Sequence, residues 1–249
     1  MAHGKVFLVG AGPGDPRLVT LKAVDVLKQA NAVVYDRLVS EQILDFAPKA
    51  AEKFYVGKSS EKHELSQEKI NELLVNLALD GKTVVRLKGG DPYVFGRGGE
   101  EAEALADNKI AFEVVPGVTS AIAAPAYAGI PVTHRDYASS FAVVTGHQAA
   151  DADAPIDWSR LAGSVDTIIV LMGVGSLEST AKSLMQGGLN PDVPVAVIEW
   201  GTTAKQRTLV CTLATVAKET KAKSVRPPAV IVIGKVVDLG SKLRWFMMP

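Results

Sequence analysis

The stretch Thr83-Val-Val-Arg-Leu-Lys-Gly-Gly-Asp-Pro-Tyr-Val-Phe-Gly-Arg-Gly-Gly-Glu-Glu101 decides how this chain folds. Thr83–Leu87 is a short run rich in β-branched residues, which predicts a strand. It breaks at Gly89-Gly90-Asp91-Pro92, where glycine and proline punctuate regular structure. Helical character resumes over Glu100–Ala106. Upstream, Ser66–Asp80 sets Ile70, Leu73, Leu74, Leu77 and Ala78 on one face at helical spacing. Ser66 is its candidate N-cap, and Gly81 its stop. A helix, a strand, a glycine turn and a second helix in succession predict an α/β layer.

The same alternation runs outward in both directions. Towards the N-terminus, Lys5–Val9 and Ala32–Tyr35 read as strands, and Leu21–Gln29 as a helix capped by Thr20. Beyond the central stretch, Phe112–Val115 reads as a strand and Ser120–Ala128 as a helix of small residues. Gly129–Ser140 has no sustained period and reads as a domain connection, giving domains 1–134 and 135–249. The second half carries strands at Phe141–Thr145, Thr167–Leu171, Val195–Trp200, Thr208–Cys211 and Ala229–Ile233. Its helices are expected at Ser176–Gln186, Leu213–Lys221 and Val237–Phe246. The fold class is therefore α/β, with two α/β domains and largely parallel sheets.

Composition narrows the function. The chain has 249 residues, 47% apolar and 22% charged, which suits a packed core. Its 27 basic and 27 acidic residues cancel, which argues against an extended nucleic-acid or anionic-membrane surface. Cys211 is the only cysteine, so neither an internal disulfide nor a cysteine metal cluster is available, and no metal is expected. The cytoplasm is the expected compartment. The apolar run Val6–Val9 is too short for a signal sequence, and no run approaches the ~18–20 residues of a membrane span.

Glycine is unevenly placed. Clusters at Gly10–Gly14, Gly89–Gly90 and Gly96–Gly99 stand at strand ends, where open α/β sheets bind ligands. The first is not a dinucleotide fingerprint. Asp15 occupies the position where a third glycine is needed, and Pro13 removes an N–H that a pyrophosphate would use. No G-x-x-x-x-G-K-[ST] loop is present.

Val9–Thr20, with Gly-Ala-Gly-Pro-Gly-Asp-Pro at its centre, resembles the opening of the tetrapyrrole methylases, which use S-adenosylmethionine. Val84–Glu101 is more specific and is similar to the signature of the uroporphyrinogen-III C-methyltransferases. Val115–Ser120, Gly129–Arg135 and Val144–His147 carry the same resemblance, which covers essentially the whole chain.

The resemblance implies two α/β domains with the active site in the cleft between them, a homodimer, and transfer of two methyl groups to carbons of uroporphyrinogen III. It implies methylation alone, without an appended dehydrogenase–chelatase or synthase module. By resemblance, cofactor contacts fall on Pro13, Gly89, Gly90, Asp91, Val94, Thr119, Ser120, Met172, Gly201 and Ala229. Asp91 suits ribose hydroxyls or an ammonium, and Thr119 and Ser120 sit at a predicted helix N-terminus that suits a carboxylate. Met172 would pack on the adenine; by sequence alone it reads as a core methionine.

Arginine matches the carboxylates of such a substrate, which makes Arg97 and Arg135 the leading clamps and Arg37 a third. Glu100, one helical turn beyond Arg97, is the candidate proton acceptor, or an ordinary first-turn glutamate. An arginine base is disfavoured because guanidinium has a pKa above ~12. His134 and His147 are secondary candidates. Lys218, Lys221, Lys223 and Arg226 read as a solvated helix end, and Cys211 as a small apolar residue. Two rivals remain: a sister methylase acting on a later corrinoid precursor or another target, and a non-catalytic module that binds the cofactor.

Overall fold

The computed structural model describes residues 3–57, 65–147 and 156–246. The chain forms two compact units, Met1–Thr119 and Ser120–Pro249.

The first unit is a five-stranded parallel sheet. Its strands are β1 (Lys5–Gly10), β2 (Ala32–Tyr35), β3 (Glu52–Tyr55), β4 (Thr83–Lys88) and β5 (Ala111–Val115), in the order β3-β2-β4-β1-β5. Helices α1 (Leu21–Leu27), α2 (Glu41–Leu44), α3 (Gln67–Leu79) and α4 (Gly98–Asp107) make the crossovers. Strand side chains alternate between the two faces. Val9, Val33, Val85 and Leu87 therefore enter one core with Ala23, Leu27 and Ile43. Val6, Leu8, Val34 and Val84 enter the other with Ile70, Leu74, Leu77 and Leu105. Burial on both faces explains why these strands read as continuous apolar runs. Thr20 and Ser66 cap their helices as expected, accepting from the amides of Ala23 and Lys69.

The second unit begins with α5 (Ser120–Tyr127). Its sheet has the order β6-β7-β10-β8-β9, from β6 (Phe141–Thr145), β7 (Thr167–Leu171), β8 (Pro194–Glu199), β9 (Arg207–Thr212) and β10 (Ala229–Ile233). Helices α6 (Trp158–Leu161), α7 (Leu177–Gln186) and α8 (Val216–Ala222) complete it. Ala121 and Ala124 of α5 pack on Ile169, Leu171, Ile198 and Val230. Leu177, Ala181 and Leu184 of α7 cover the opposite face with Ile168, Val170, Val197 and Ile231.

Four expectations need correction. The units divide at Thr119/Ser120, not at 134/135, because α5 is apolar towards the second sheet and joins its core. Gly129–Ser140 is consequently not a connection between domains; Ile130 is buried in that core, and His134–Ala138 closes a tight turn. The second sheet is mixed rather than largely parallel: β6 and β7 run parallel, whereas β10 and β9 are antiparallel to their neighbours. No helix intervenes between β8 and β9, so that connection is not a crossover and the two strands pair as a hairpin. Val237–Phe246 is not an α-helix, since only a short 3-10 segment, Lys235–Ser241, forms there. The short elements α2, β3 and α6 carry too few periodic residues to be read from sequence.

Candidate active site

In the first unit the carboxyl ends of β1, β4 and β5 meet through backbone. Ala11 N–H donates to the Lys88 carbonyl at 2.8 Å, and Gly90 N–H to the Gly12 carbonyl at 2.7 Å. A Cβ on Gly117 would stand 2.3 Å from the Gly90 carbonyl, and one on Gly10 would stand 2.5 Å from Gly117 Cα. Only glycine lets these turns approach so closely. Asp91 fastens the group: its Oδ2 accepts from Gly117 N–H at 3.0 Å and its Oδ1 from Tyr93 N–H at 2.8 Å. One lone pair on each oxygen is thereby used to shape the turn. Pro13, Gly89, Gly90, Asp91, Val94 and Thr119 are all partly exposed at this end of the unit, as ligand-lining residues must be.

The next loop closes on itself. Gly98 N–H donates to the Pro92 carbonyl at 3.0 Å, and a Cβ on Gly98 would lie 2.4 Å from that oxygen. Arg97, at the N-cap of α4, is left-handed with φ 59°. This backbone region is uncommon for a side-chain-bearing residue, and such strain gathers at functional sites. Arg97 Nε and Nη2 donate to Glu100 Oε1 and Oε2 at 2.8 and 2.7 Å, a two-pronged pair. Both side chains are about half exposed. The Arg97 hydrogen bonds hold the Glu100 carboxyl below its usual range, so it is ionised at neutral pH.

Beneath this exposed pair lies a buried one that the sequence reading missed. Glu101 is fully buried, and its Oε1 accepts from Arg86 Nε and Lys88 Nζ, each at 2.9 Å. Gln67 Nε2 approaches the same oxygen at 3.4 Å, and Asp36 stands 3.7 Å from Arg86. Burial pushes the Lys88 ammonium down from its ordinary value. The sequence held a signal: Arg86 and Lys88 alternate on a strand, so they point to the same face, the one that α4 covers.

In the second unit, β10 is antiparallel to β7 and β8. Its first residues therefore lie beside the last residues of those strands, with Ala229 opposite Glu199 and Val230 opposite Leu171. This register gathers Met172, Gly201 and Ala229 at one end of the sheet. Met172 is exposed, with φ 54°, so it is not a core methionine. Trp200 and Thr202, on either side of Gly201, also have positive φ, at 48° and 70°. A Cβ on Gly201 would meet the Ala124 Cβ at 2.5 Å. Gln206 braces the turn, accepting from Thr202 N–H at 2.8 Å and donating to the Tyr127 carbonyl at 3.1 Å. Ser120 opens α5 and is partly exposed.

Arg37 lines a cavity of about 560 Å³ with Tyr35, Asp36, Lys53 and Tyr55. Arg135 is exposed in the His134–Ala138 turn, where His134 stacks edge-on against Tyr137 and its Nδ1 accepts from Asp136 N–H. His147 is exposed, and its N–H donates to Thr145 Oγ1. Lys221 pairs with Glu178 on the surface. Cys211 is half-buried in β9, and burial pushes its thiol up to about 11, which is inert. Among the described residues, no group of three or more His, Cys, Asp or Glu side chains could hold a metal ion.

Residues 5–217 match the family model of the tetrapyrrole (corrin/porphyrin) methylases. The chain belongs to the tetrapyrrole methylase family. It is 55% identical over 238 residues to a S-adenosyl-L-methionine-dependent uroporphyrinogen III methyltransferase of Methanosarcina barkeri, covering 95% of this chain and 93% of the relative. A siroheme synthase of Nitrosospira multiformis is 51% identical over 243 residues, 98% of this chain and 51% of that longer protein. Among solved structures, a uroporphyrin-III C-methyl transferase of Thermus thermophilus complexed with S-adenosylhomocysteine superposes with a TM-score of 0.81 at 46% identity, covering 95% of this chain and all of the other.

The chemistry of the residues fits the methylase cofactor. In the first unit, glycine turns with accessible backbone and an Asp91 carboxyl with acceptor capacity to spare suit its amino-acid and ribose parts. No helix among the described residues is long and apolar enough to cross a membrane.

Proposed function

We propose that this tetrapyrrole methylase transfers two methyl groups from S-adenosylmethionine to carbons of uroporphyrinogen III, giving precorrin-2 by way of precorrin-1. The observation that carries the reading is the Arg97–Glu100 pair, held half-exposed on a loop closed by Gly96 and Gly98.

The sulfonium of the bound cofactor supplies an already activated methyl, so the protein's task is positioning. Pro13, Gly89, Gly90, Asp91, Val94, Thr119, Ser120, Met172, Gly201 and Ala229 are assigned to the cofactor. Arg97, Arg135 and Arg37 are assigned to substrate carboxylates, where a planar fork gives two parallel donors. Glu100 fixes the Arg97 guanidinium through Nε and Nη2, which sets its orientation before substrate arrives. Glu100 also takes the proton that the methylated ring gives up from a pyrrole N–H or a bridging methylene, since the methylated carbon itself bears no hydrogen. Its lowered pKa makes it a weak base, yet a cationic methylated pyrrole surrenders a proton readily, so an ionised carboxylate suffices. The reading includes a homodimer, as the resemblance implies, and a cytoplasmic location, which the lone cysteine favours.

Arg97→Ala tests the assignment. Affinity for S-adenosylhomocysteine is expected within twofold of the parent. Turnover of uroporphyrinogen III should fall by about a hundredfold, the scale of losing a two-pronged charged contact. Unchanged turnover would remove Arg97 from the site, and a parent protein that binds cofactor but methylates no tetrapyrrole would favour a binding module.

A further inference from the structure

Lys88 and Glu101 have no part in the reaction as described, yet they are among the most buried charged residues of the chain. Glu101 Oε1 receives both Arg86 and Lys88, while Oε2 has no partner. Two cations on one buried oxygen is an expensive arrangement, which well-packed apolar side chains often match or better for stability alone. Its placement is telling. Lys88 is the last residue of β4, immediately before Gly89, and its carbonyl already holds Ala11 N–H. Its side chain runs under the Arg97 loop, so that a Cβ on Gly96 would stand 3.3 Å from Lys88 Cε. Glu101 lies in the first turn of α4, and its N–H donates to the Arg97 carbonyl at 3.3 Å. Adjacent carboxylates thus point opposite ways: Glu100 outward to Arg97, Glu101 inward to Lys88.

We infer that the Lys88–Glu101 ion pair is a buried latch that holds the first turn of α4 to the end of β4, making Lys88 and Glu101 positioning residues that fix the Arg97–Glu100 pair. The latch ties the loop that presents Arg97 to the end of β4, while the glycine turn after β4 is held separately by Asp91 and the Ala11 and Gly90 amides. The catalytic part of this inference rests on the methyltransferase reading; the structural part does not.

The test has one arm for each part. Lys88→Met keeps the length of the stem and leaves Glu101 paired with Arg86, and Glu101→Gln keeps the shape, so either variant serves if the other fails to fold. Amide exchange followed by mass spectrometry reads the latch without any substrate. Exchange in peptides spanning 92–103 should quicken at least tenfold while the rest of the first sheet stays protected. No change, or loosening spread evenly over the unit, would overturn the latch. For the catalytic part, single-turnover methyl transfer is compared in four proteins: parent, K88M, R97K and the double variant. K88M should lower kcat/KM about tenfold with S-adenosylhomocysteine affinity within twofold, and should add less than threefold on top of R97K. A tenfold effect that persists in the R97K background would show that Lys88 acts otherwise and overturn the positioning role. If the parent transfers no methyl, the methyltransferase reading falls, and the exchange arm still decides the latch.

Discussion

Arg97 stands in left-handed backbone between two glycines that cannot be replaced without moving the Pro92 carbonyl. Gly98 and Gly99 are neighbours in sequence and differ in this respect. A Cβ on Gly98 would sit 2.4 Å from the Pro92 oxygen, whereas one on Gly99 would meet nothing within 4 Å. Gly98→Ala should therefore cost about 1–3 kcal/mol through forced backbone shifts. Gly99→Ala, at an exposed helical position, should be neutral or stabilise by up to about 1 kcal/mol. Thermal unfolding of the two variants checks the contrast; equal midpoints would contradict it. The glycine spacing marks this loop as a candidate ligand site, and the three-residue spacing of Arg97 and Glu100 puts them within reach of each other, as the structure shows. The sequence could not show that Glu101 turns inward, because one residue along a helix rotates the side chain by about 100° and only packing decides which face is buried.

At the scale of elements, Glu113 on β5 binds Lys5 of β1 at 2.7 Å and Lys22 of α1 at 2.5 Å, tying one edge of the first sheet to its first helix. Hydrogen bonds from Lys22 and then Lys5 lower its carboxyl from the ordinary 4.5 to about 2. Between those values the unfolded chain binds the proton more readily, so stability rises with pH. The contribution is complete above about pH 4.5 and is lost as pH falls towards about 2. Urea midpoints across this window should fall less steeply for Glu113→Gln than for the parent, and identical slopes would contradict the tie. Most elements were legible because buried strands and amphipathic helices leave periodic signatures. The direction of β9 was also within reach, since Thr208–Cys211 follows Val195–Trp200 with no helix between. Reading every strand as part of a crossover hid the hairpin. The 3-10 segment after β10 was not legible, because Val236, Val237 and Leu239 suit either helical geometry.

For the whole molecule, the division at Thr119/Ser120 follows from one helix. Ala121 and Ala124 of α5, with Ile130 beyond it, fill the core face of the second sheet. A fragment of residues 120–249 should unfold cooperatively, whereas 135–249 should lack a cooperative transition or aggregate, having uncovered Ile169, Leu171 and Ile198. Equal behaviour of the two fragments would contradict the boundary. The sequence placed it later because Gly129–Ser140 looks like a linker, and only the three-dimensional core shows Ile130 buried. The charge balance of the chain hid its chemistry in the same way: 27 residues of each sign say nothing of an exposed arginine fork held over a buried ion pair. That fork, beside glycine turns suited to the cofactor, is the basis for assigning tetrapyrrole methylation. The most direct measurement is incubation of the protein with uroporphyrinogen III and methyl-labelled S-adenosylmethionine, followed by mass analysis of the tetrapyrrole. Incorporation of two labelled methyl groups, with the singly methylated species appearing first, is the predicted result; a tetrapyrrole that gains no label would contradict it.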